Sequence, residues 1–208
     1  MATNGLYYAY PLILASGSHA RRQLLEQAKL VFDVVPCHIE ENDIKRAIRA
    51  ECPKISPGEM AEKLALAKAQ AVSGAHVDKL AIGGDQVCEI DGEALSKAET
   101  REEALSVLKN MRGRTHYLHS SVAVALNDRA LWKYTETAAL RMLPLKDSVL
   151  EAYVDAERPF SSVGCYFFES MGRHLFAEVD GSTECVMGMP LNPLICALHD
   201  LGLVEYRG

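Results

Sequence analysis

Leu12–Arg22, LILASGSHARR, is the stretch around which the rest of the chain is read. Leu12, Ile13, Leu14 and Ala15 form a short unbroken apolar run, the pattern of a buried strand. Ser16, Gly17 and Ser18 interrupt it. From His19 the spacing predicts a helix, with Leu24, Leu25 and Ala28 on one face and Ser16 or Ser18 as its N-cap. Arg21 and Arg22 then stand in the first helical turn, where the helix already carries partial positive charge. Two cations, capping hydroxyls and free backbone N–H groups at one helix start suit an anion such as a phosphate. The alternative is a pair of solvated arginines.

Outward from this stretch, composition narrows the choices. Apolar residues make up 49% and charged residues 24% of 208 positions, the balance of a soluble globular chain large enough to bury a core. A net charge of −6 argues against a nucleic-acid binder or a membrane-surface protein, so no nucleic-acid and no membrane partner is expected. No apolar run approaches the ~18 residues of a membrane span. MATNGLYYAY lacks the basic and apolar regions of a signal peptide, so a cytoplasmic location is expected. The six cysteines form no C-x-x-C pair, which disfavours zinc, and most read as buried thiols. His116 and His119 lie three apart in a predicted strand and so point to opposite faces.

Further along, Phe32–Val35 reads as strand, and an acidic segment, His38–Asp43, precedes a helix ending near Arg49. Ser56-Pro57-Gly58-Glu59 is a capping box, with serine as cap, proline at the first position and glutamate closing it. Met60, Leu64, Ala67 and Ala71 continue it as one apolar stripe. Lys68 sits about 80° round from Met60, at the flank of the buried face. There its stem can follow the core and its charge can reach a cleft edge. Leu80–Gly83 reads as a short strand, with Gly84-Asp85-Gln86 at its end. An aspartate at the carboxyl end of a buried strand is a common place for chemistry; a turn aspartate is the competing assignment. Asp91-Gly92 makes a tight turn, through which one hairpin brings Lys97 back towards Asp85.

Thr100–Glu103 resembles a second capping box, and its helix ends before Gly113. Thr115–Leu126 and Ala130–Met142 are rich in β-formers, and the short polar break between them predicts an antiparallel hairpin. Ser148–Asp155 reads as helix, and Ser162–Phe168 and Leu175–Val179 as strands. A last helix opens at Asn192-Pro193 and stops at Gly202. Crossover helices combined with hairpins predict an α/β fold with a mixed sheet and flanking helices, in one or two lobes. No linker divides residues 1–208, which are expected to form a single domain.

Ser16, Arg21, Arg22, Lys68 and Lys97 are candidate anion ligands, and Glu41 and Asp85 candidate carboxylates. Several cations suit more than one phosphate. Two carboxylates among them suit a hard divalent cation, and the set fits metal-assisted attack of water on a nucleotide phosphate.

In this order the motifs closely resemble the Maf family of nucleoside triphosphate pyrophosphatases. They are Leu14–Ser18 with Arg21-Arg22, Ile39–Glu41, Lys68, Gly84-Asp85-Gln86, Asp91–Glu93, Lys97, Gly113–His116, Gly164–Tyr166 and Val186–Leu191. The resemblance runs from about Leu12 to Leu203. It implies hydrolysis between the α- and β-phosphates of a nucleoside triphosphate, giving monophosphate and diphosphate. It also implies Mg2+ or Mn2+ as cofactor, a homodimer, and the deep nucleotide cleft of a Maf or ITPase-like fold. Asp85 then corresponds to the general base and, with Glu41, to a metal ligand. Ser16, Arg21, Arg22, Lys68 and Lys97 correspond to the phosphate grip. Gln86 and Glu169 occupy the positions that separate base preferences, and their pairing resembles the 7-methyl-GTP subgroup. That subgroup carries an aromatic where Ala20 stands. The resemblance also brings a rival reading, a nucleotide-binding regulator of septum formation without significant turnover.

Overall fold

The computed structural model describes residues 2, 3 and 5–206, the side chains of 2 and 3 excepted. In chain order its strands and helices are β1 (Ala2–Thr3), β2 (Leu6–Tyr8), β3 (Leu12–Leu14), α1 (His19–Gln27), β4 (Phe32–Val34), α2 (Glu41–Glu51) and α3 (Pro57–Ala75). Next come β5 (Leu80–Ile90), β6 (Glu93–Ala94), α4 (Arg101–Met111), β7 (Thr115–Leu126), β8 (Arg129–Met142) and α5 (Asp147–Glu157). β9 (Phe176–Asp180), α6 (Thr183–Val186), α7 (Leu191–Asp200) and β10 (Val204–Tyr206) complete the chain, with a 3-10 turn at Met171–Leu175 before β9.

The main sheet runs β4-β3-β5-β7-β8-β9, with β6 beside β5. β3 is parallel to β4 and β5, and the remaining pairs are antiparallel. The fold is therefore the expected mixed-sheet α/β arrangement. A small sheet, β1-β2-β10, joins the two ends of the chain.

Alternation along the strands divides the core between two faces. Ile13, Ala81, Ala123 and Ala125 face α3, among Ala65, Ala69 and Val72. Leu12, Leu14, Leu80, Ile82, Val122 and Val124 pack on the other side against Leu24 and Leu25 of α1 and Leu194 and Leu198 of α7. Further along that second face, Cys88, Leu118, Leu140 and Met142 meet Leu108 of α4 and Leu150 of α5. The expected Ser56–Glu59 capping box is present and starts α3.

Three expectations fail. β5 does not stop at Gly83, because β7 pairs it without a register break from Leu80 to Glu89. Asp85 is consequently mid-strand rather than at a strand end. The two glycines before it are where other groups press on the strand. A Cβ at Gly83 would collide with the Ala65 carbonyl oxygen and stand 2.7 Å from the Ala69 amide nitrogen. A Cβ at Gly84 would lie 3.0 Å from Arg21 Nε. Residues 162–168 are turns and irregular chain rather than strand. They fold back on themselves, with Cys165 at φ 55° and Tyr166 packed so close to Gly164 that a Cβ there would lie 2.5 Å from the Tyr166 ring. At Thr100, Glu103 reaches the amide of Glu99 rather than that of the cap, so only half of the second box forms.

Smaller differences concern boundaries and burial. α2 begins inside the acidic segment, at Glu41. α5 extends a residue earlier and two later than expected. Cys88, Cys165 and Cys185 are buried, but Cys52 and Cys196 are exposed. His116 and His119 do face opposite ways: His116 meets Tyr166 and His119 meets Glu89.

His116 is fully enclosed, with Nε2 2.8 Å from the Tyr166 hydroxyl and Nδ1 without a partner. Burial pushes its pKa from 6.5 down to about 4. Between those values the unfolded chain binds the extra proton, so stability falls as pH drops through that window, by up to about 3 kcal/mol. Urea unfolding of His116→Phe is expected to lose less stability than the parent between pH 7 and pH 4.5; equal losses contradict this.

Candidate active site

The cleft opens where the sheet has a gap. On one side of β5, β3 pairs only Leu80–Ile82, and Ala15 N–H adds a bond to the Ile82 carbonyl. β6 resumes pairing at Glu89, preceded by a bond from Leu95 N–H to the Cys88 carbonyl. Leu80, Ile82 and Cys88 thus direct their backbone groups to this side, and strand alternation directs those of Gly84 and Gln86 the same way. A cavity of about 1130 Å³ lies over this gap, walled by residues 15–21, the start of α2, the 92–99 segment, the 161–169 segment and residues 186–188.

The two faces of β5 bring different groups to it. On one face, Asp85 Oδ1 accepts from Lys68 Nζ at 2.7 Å, and the same nitrogen lies 2.7 Å from Glu41 Oε1. Lys68 and Asp85 are buried, and Glu41 is 42% exposed at its side chain. Lys68 is able to reach because α3 lies directly on Gly83. Burial raises the pKa of Glu41, but the hydrogen bond and charge of Lys68, with the charges of Lys45 and Lys97, outweigh it, and the carboxyl titrates below its ordinary value. Glu41 is therefore ionised at neutral pH.

On the other face, Arg21 lies across Gly84. Its Nε donates to the Gly188 carbonyl at 2.8 Å and its Nη1 to Ser16 Oγ at 3.2 Å. Burial lowers its pKa, only partly countered by the charges of Asp85 and Glu41. Ser18, not Ser16, caps α1. Ser16 instead accepts from Ser18 N–H and Arg21. A desolvated guanidinium held by a carbonyl and a hydroxyl, with no carboxylate in ion-pair contact among the described residues, favours an incoming anion.

The structure gathers most of the sequence-derived residues. Ser16, Ala20, Arg21, Glu41, Lys68, Asp85, Gln86, Lys97 and Glu169 all line the cavity. Arg22 does not: it points outward and pairs with Glu26 at 2.7 Å, one turn along α1. Consecutive helical residues diverge by about 100°, so only one of the two arginines can face the cleft. Lys97 reaches the cavity from the segment after β6, but the partner found for Asp85 is Lys68. Glu169 stands exposed in a turn at the rim. Sequence reasoning missed Ser120 and the carbonyls of Cys185, Val186 and Gly188, which hold Gln86 and Arg21. A backbone carbonyl has no sequence signal, although glycine at 188, with φ 95°, marks an unusual turn there.

The donor set also bears on a divalent cation. Among the described residues no three His, Cys, Asp or Glu side chains gather into a metal site. Asp85 and Glu41 are joined through one ammonium and supply two hard carboxylates. Magnesium typically takes one or two carboxylates and completes its shell with water and phosphate oxygens, so the residues fit that ion.

Comparison with known proteins places this geometry in context. A family model described as Maf-like protein matches residues 11–201. A nucleoside triphosphate pyrophosphatase from Maricaulis maris is 38% identical over 195 residues, covering 93% of this chain and 97% of that protein. One of the same name from Nitrobacter hamburgensis is 39% identical over 197 residues, covering 94% and 96%. A HAM1 protein structure from Coxiella burnetii overlays 65% of this chain and 74% of its own at TM-score 0.39 and 15% identity. No helix among the described residues is long and apolar enough to cross a membrane.

The two arginines give a direct test. Arg21→Lys is expected to weaken binding of inorganic triphosphate at least about tenfold, because a lysine cannot reproduce the forked contacts. Arg22→Ala is expected to stay within about twofold, as an exposed ion pair contributes little. Titration calorimetry at fixed ionic strength reads both, and equal losses would contradict the assignment.

Proposed function

We propose that this chain, which belongs to the Maf-like protein family, is a nucleoside triphosphate pyrophosphatase that cleaves the α–β phosphate bond to give monophosphate and diphosphate. The observation that carries the reading is Asp85, buried in the cavity beside Lys68, with the Arg21 guanidinium held there by the Gly188 carbonyl. The pyrophosphatase names of relatives that align with nearly the whole chain support it.

In this reading Asp85 orients a water molecule and accepts its proton, using the carboxylate oxygen that Lys68 leaves free. Arg21, Lys68 and Lys97 compensate the charge that develops on the phosphate chain, and Ser16 holds Arg21 in place. Asp85 and Glu41 would hold Mg2+ or Mn2+. Such an ion, when bound, polarises phosphate oxygens and lowers the pKa of bound water. Lys68 has a second role, because its single ammonium keeps two carboxylates together that would otherwise repel.

The finer reading is a preference for modified or non-standard nucleotides, with 7-methyl-GTP as a candidate. Glu169, acceptor-only when ionised, suits the donor edge of guanine. Ala20 offers no aromatic face for a cationic base, a contact that contributes ~0.5–2 kcal/mol elsewhere. Asp85 favours an enzyme over the regulator of septum formation, since a binder requires no water-activating carboxylate.

Diphosphate release with magnesium or manganese over a panel of GTP, 7-methyl-GTP, ITP, UTP, dTTP and CTP tests the proposal. Turnover is expected with the parent, and Asp85→Asn is expected to reduce it by about 10²-fold or more. Tight nucleotide binding without turnover in the parent would overturn the enzyme reading in favour of the regulator.

A further inference from the structure

One wall of the cavity carries cations that the chemistry at Asp85 leaves unused. α2 is anchored by Ile44 and Ile48, which pack with Met60, Ala61 and Leu64 of α3. That anchoring fixes the phase of the helix. Lys45 and Arg49, each one residue further on, turn about 100° from the apolar seam and line the cavity. Arg46, about 100° further round, faces outward, is 79% exposed at its side chain and pairs with Asp43. Glu41, Lys45 and Arg49 are spaced by four residues and form one stripe.

The stripe leads away from Asp85. Glu41 Oε1 lies 2.7 Å from Lys68 Nζ, and that nitrogen also holds Asp85. The other oxygen of Glu41, Oε2, is 3.7 Å from Lys45 Nζ, beyond ordinary hydrogen-bond length. Lys45 is therefore attracted to Glu41 without being bonded to it. Arg49 is exposed and has no ion pair or side-chain hydrogen bond among the described residues. At a rise of 1.5 Å per residue, Lys45 stands about 6 Å and Arg49 about 12 Å along the helix from Glu41. Two cations without a short partner thus border the cavity beyond the point where Asp85 and Glu41 meet Lys68.

We infer that Lys45 and Arg49 form an outer anion subsite, which holds the terminal diphosphate of a nucleoside triphosphate while its α-phosphate lies beside Asp85. A nucleoside gives these cations no charge to compensate, whereas the β- and γ-phosphates carry most of the charge of the substrate. An ammonium only loosely held by a carboxylate is free to turn to a phosphate oxygen, and a guanidinium takes two such oxygens at once. The subsite makes phosphate chain length a selected property, so that the triphosphate is held and the monophosphate product is released. The inference rests on the nucleotide reading of the cavity and adds two residues to it.

The test is equilibrium binding, in magnesium, of the α,β-methylene triphosphates of guanosine and uridine, of the matching monophosphates and of inorganic diphosphate. The analogues lack the hydrolysable α–β bridge, so affinity is read apart from turnover. The parent is expected to bind the tighter analogue at least about tenfold more tightly than its monophosphate. Lys45→Met combined with Arg49→Met is expected to compress that gap to about threefold or less and to leave the monophosphate within about twofold. Should the double variant fail to fold, each single variant is expected to narrow the gap at least about twofold. Arg46→Met removes a cation from the outer face of the same helix and is expected to leave every affinity within about twofold, which separates placement from overall charge. A parallel loss for inorganic diphosphate extends the subsite to the free product, and no such loss confines it to the nucleotide; either sustains the inference. An unchanged gap in folded variants, an equal loss for the monophosphate, or an equal effect of Arg46→Met overturns it. Analogue binding that depends on Lys45 and Arg49, without diphosphate release from any nucleoside triphosphate in the parent, would sustain it while overturning the enzymatic reading. Failure of the parent to bind either analogue or diphosphate overturns both.

Discussion

The seating of α3 on the sheet at Gly83 is the constraint on which the site depends. Helix and strand approach so closely there that no side chain fits between them, and Ala65, Ala69, Ala123 and Ala125 keep the rest of the contact shallow. A helix held at that depth brings Lys68 within 2.7 Å of Asp85. With larger residues at these positions α3 would ride higher and the ammonium would fall short. A buried ion pair gives little net stability, since desolvation offsets much of its attraction. Here its importance is positional, because it fixes an aspartate and a lysine inside a cavity that also receives Glu41.

The neighbouring glycine serves the opposite face of the same strand. Gly84 leaves room for the Arg21 side chain to cross the backbone and reach the Gly188 carbonyl. Gln86, two residues on, grips the carbonyls of Cys185 and Val186. The end of α6 is thereby fastened to β5 through Gln86 and the turn after it to α1 through Arg21, and the cleft wall they form is fixed relative to Asp85. Although the chain carries a net charge of −6, Arg21, Lys68 and Lys97 gather at this cavity. Glu40, Glu41, Asp85, Glu93, Glu99 and Glu169 line the same cavity, so capture of a polyphosphate rests on where the individual cations stand rather than on a net positive field.

Much of this was legible in the sequence where a local pattern has one physical meaning. The Ser56–Glu59 box and the β7–β8 hairpin each formed as read, but the buried face of α3 runs through Met60, Leu64, Ala65, Lys68, Ala69 and Val72, while Ala71 of the expected stripe is exposed, because the sheet meets the helix about one residue further round. Lys68, expected at the flank of a buried stripe, lies within the buried face itself, and its charge reaches the cleft to meet Asp85 and Glu41. The reading of Gly83-Gly84 as a strand end failed because glycine signals both a break and a close approach, and only tertiary packing separates the two. Arg21 and Arg22 looked equivalent until the helix phase turned one inward and the other to Glu26. The 162–168 segment has the composition of a strand, yet turns back at Cys165 so that Tyr166 can reach His116. Long-range hydrogen bonds of that kind leave no local trace.

The dependence of the site on α3 seating is tested most directly with Gly83→Ala. The added methyl group meets the backbone of α3, so the helix is expected to shift outward and the protein to stay folded at a cost of about 1–3 kcal/mol. Diphosphate release from nucleoside triphosphate is then expected to fall at least about tenfold, because displacements near 1 Å at a catalytic group carry large rate penalties. Turnover within about twofold of the parent, in a protein that unfolds cooperatively, would contradict the claim that the contact at Gly83 sets the geometry of Lys68 and Asp85.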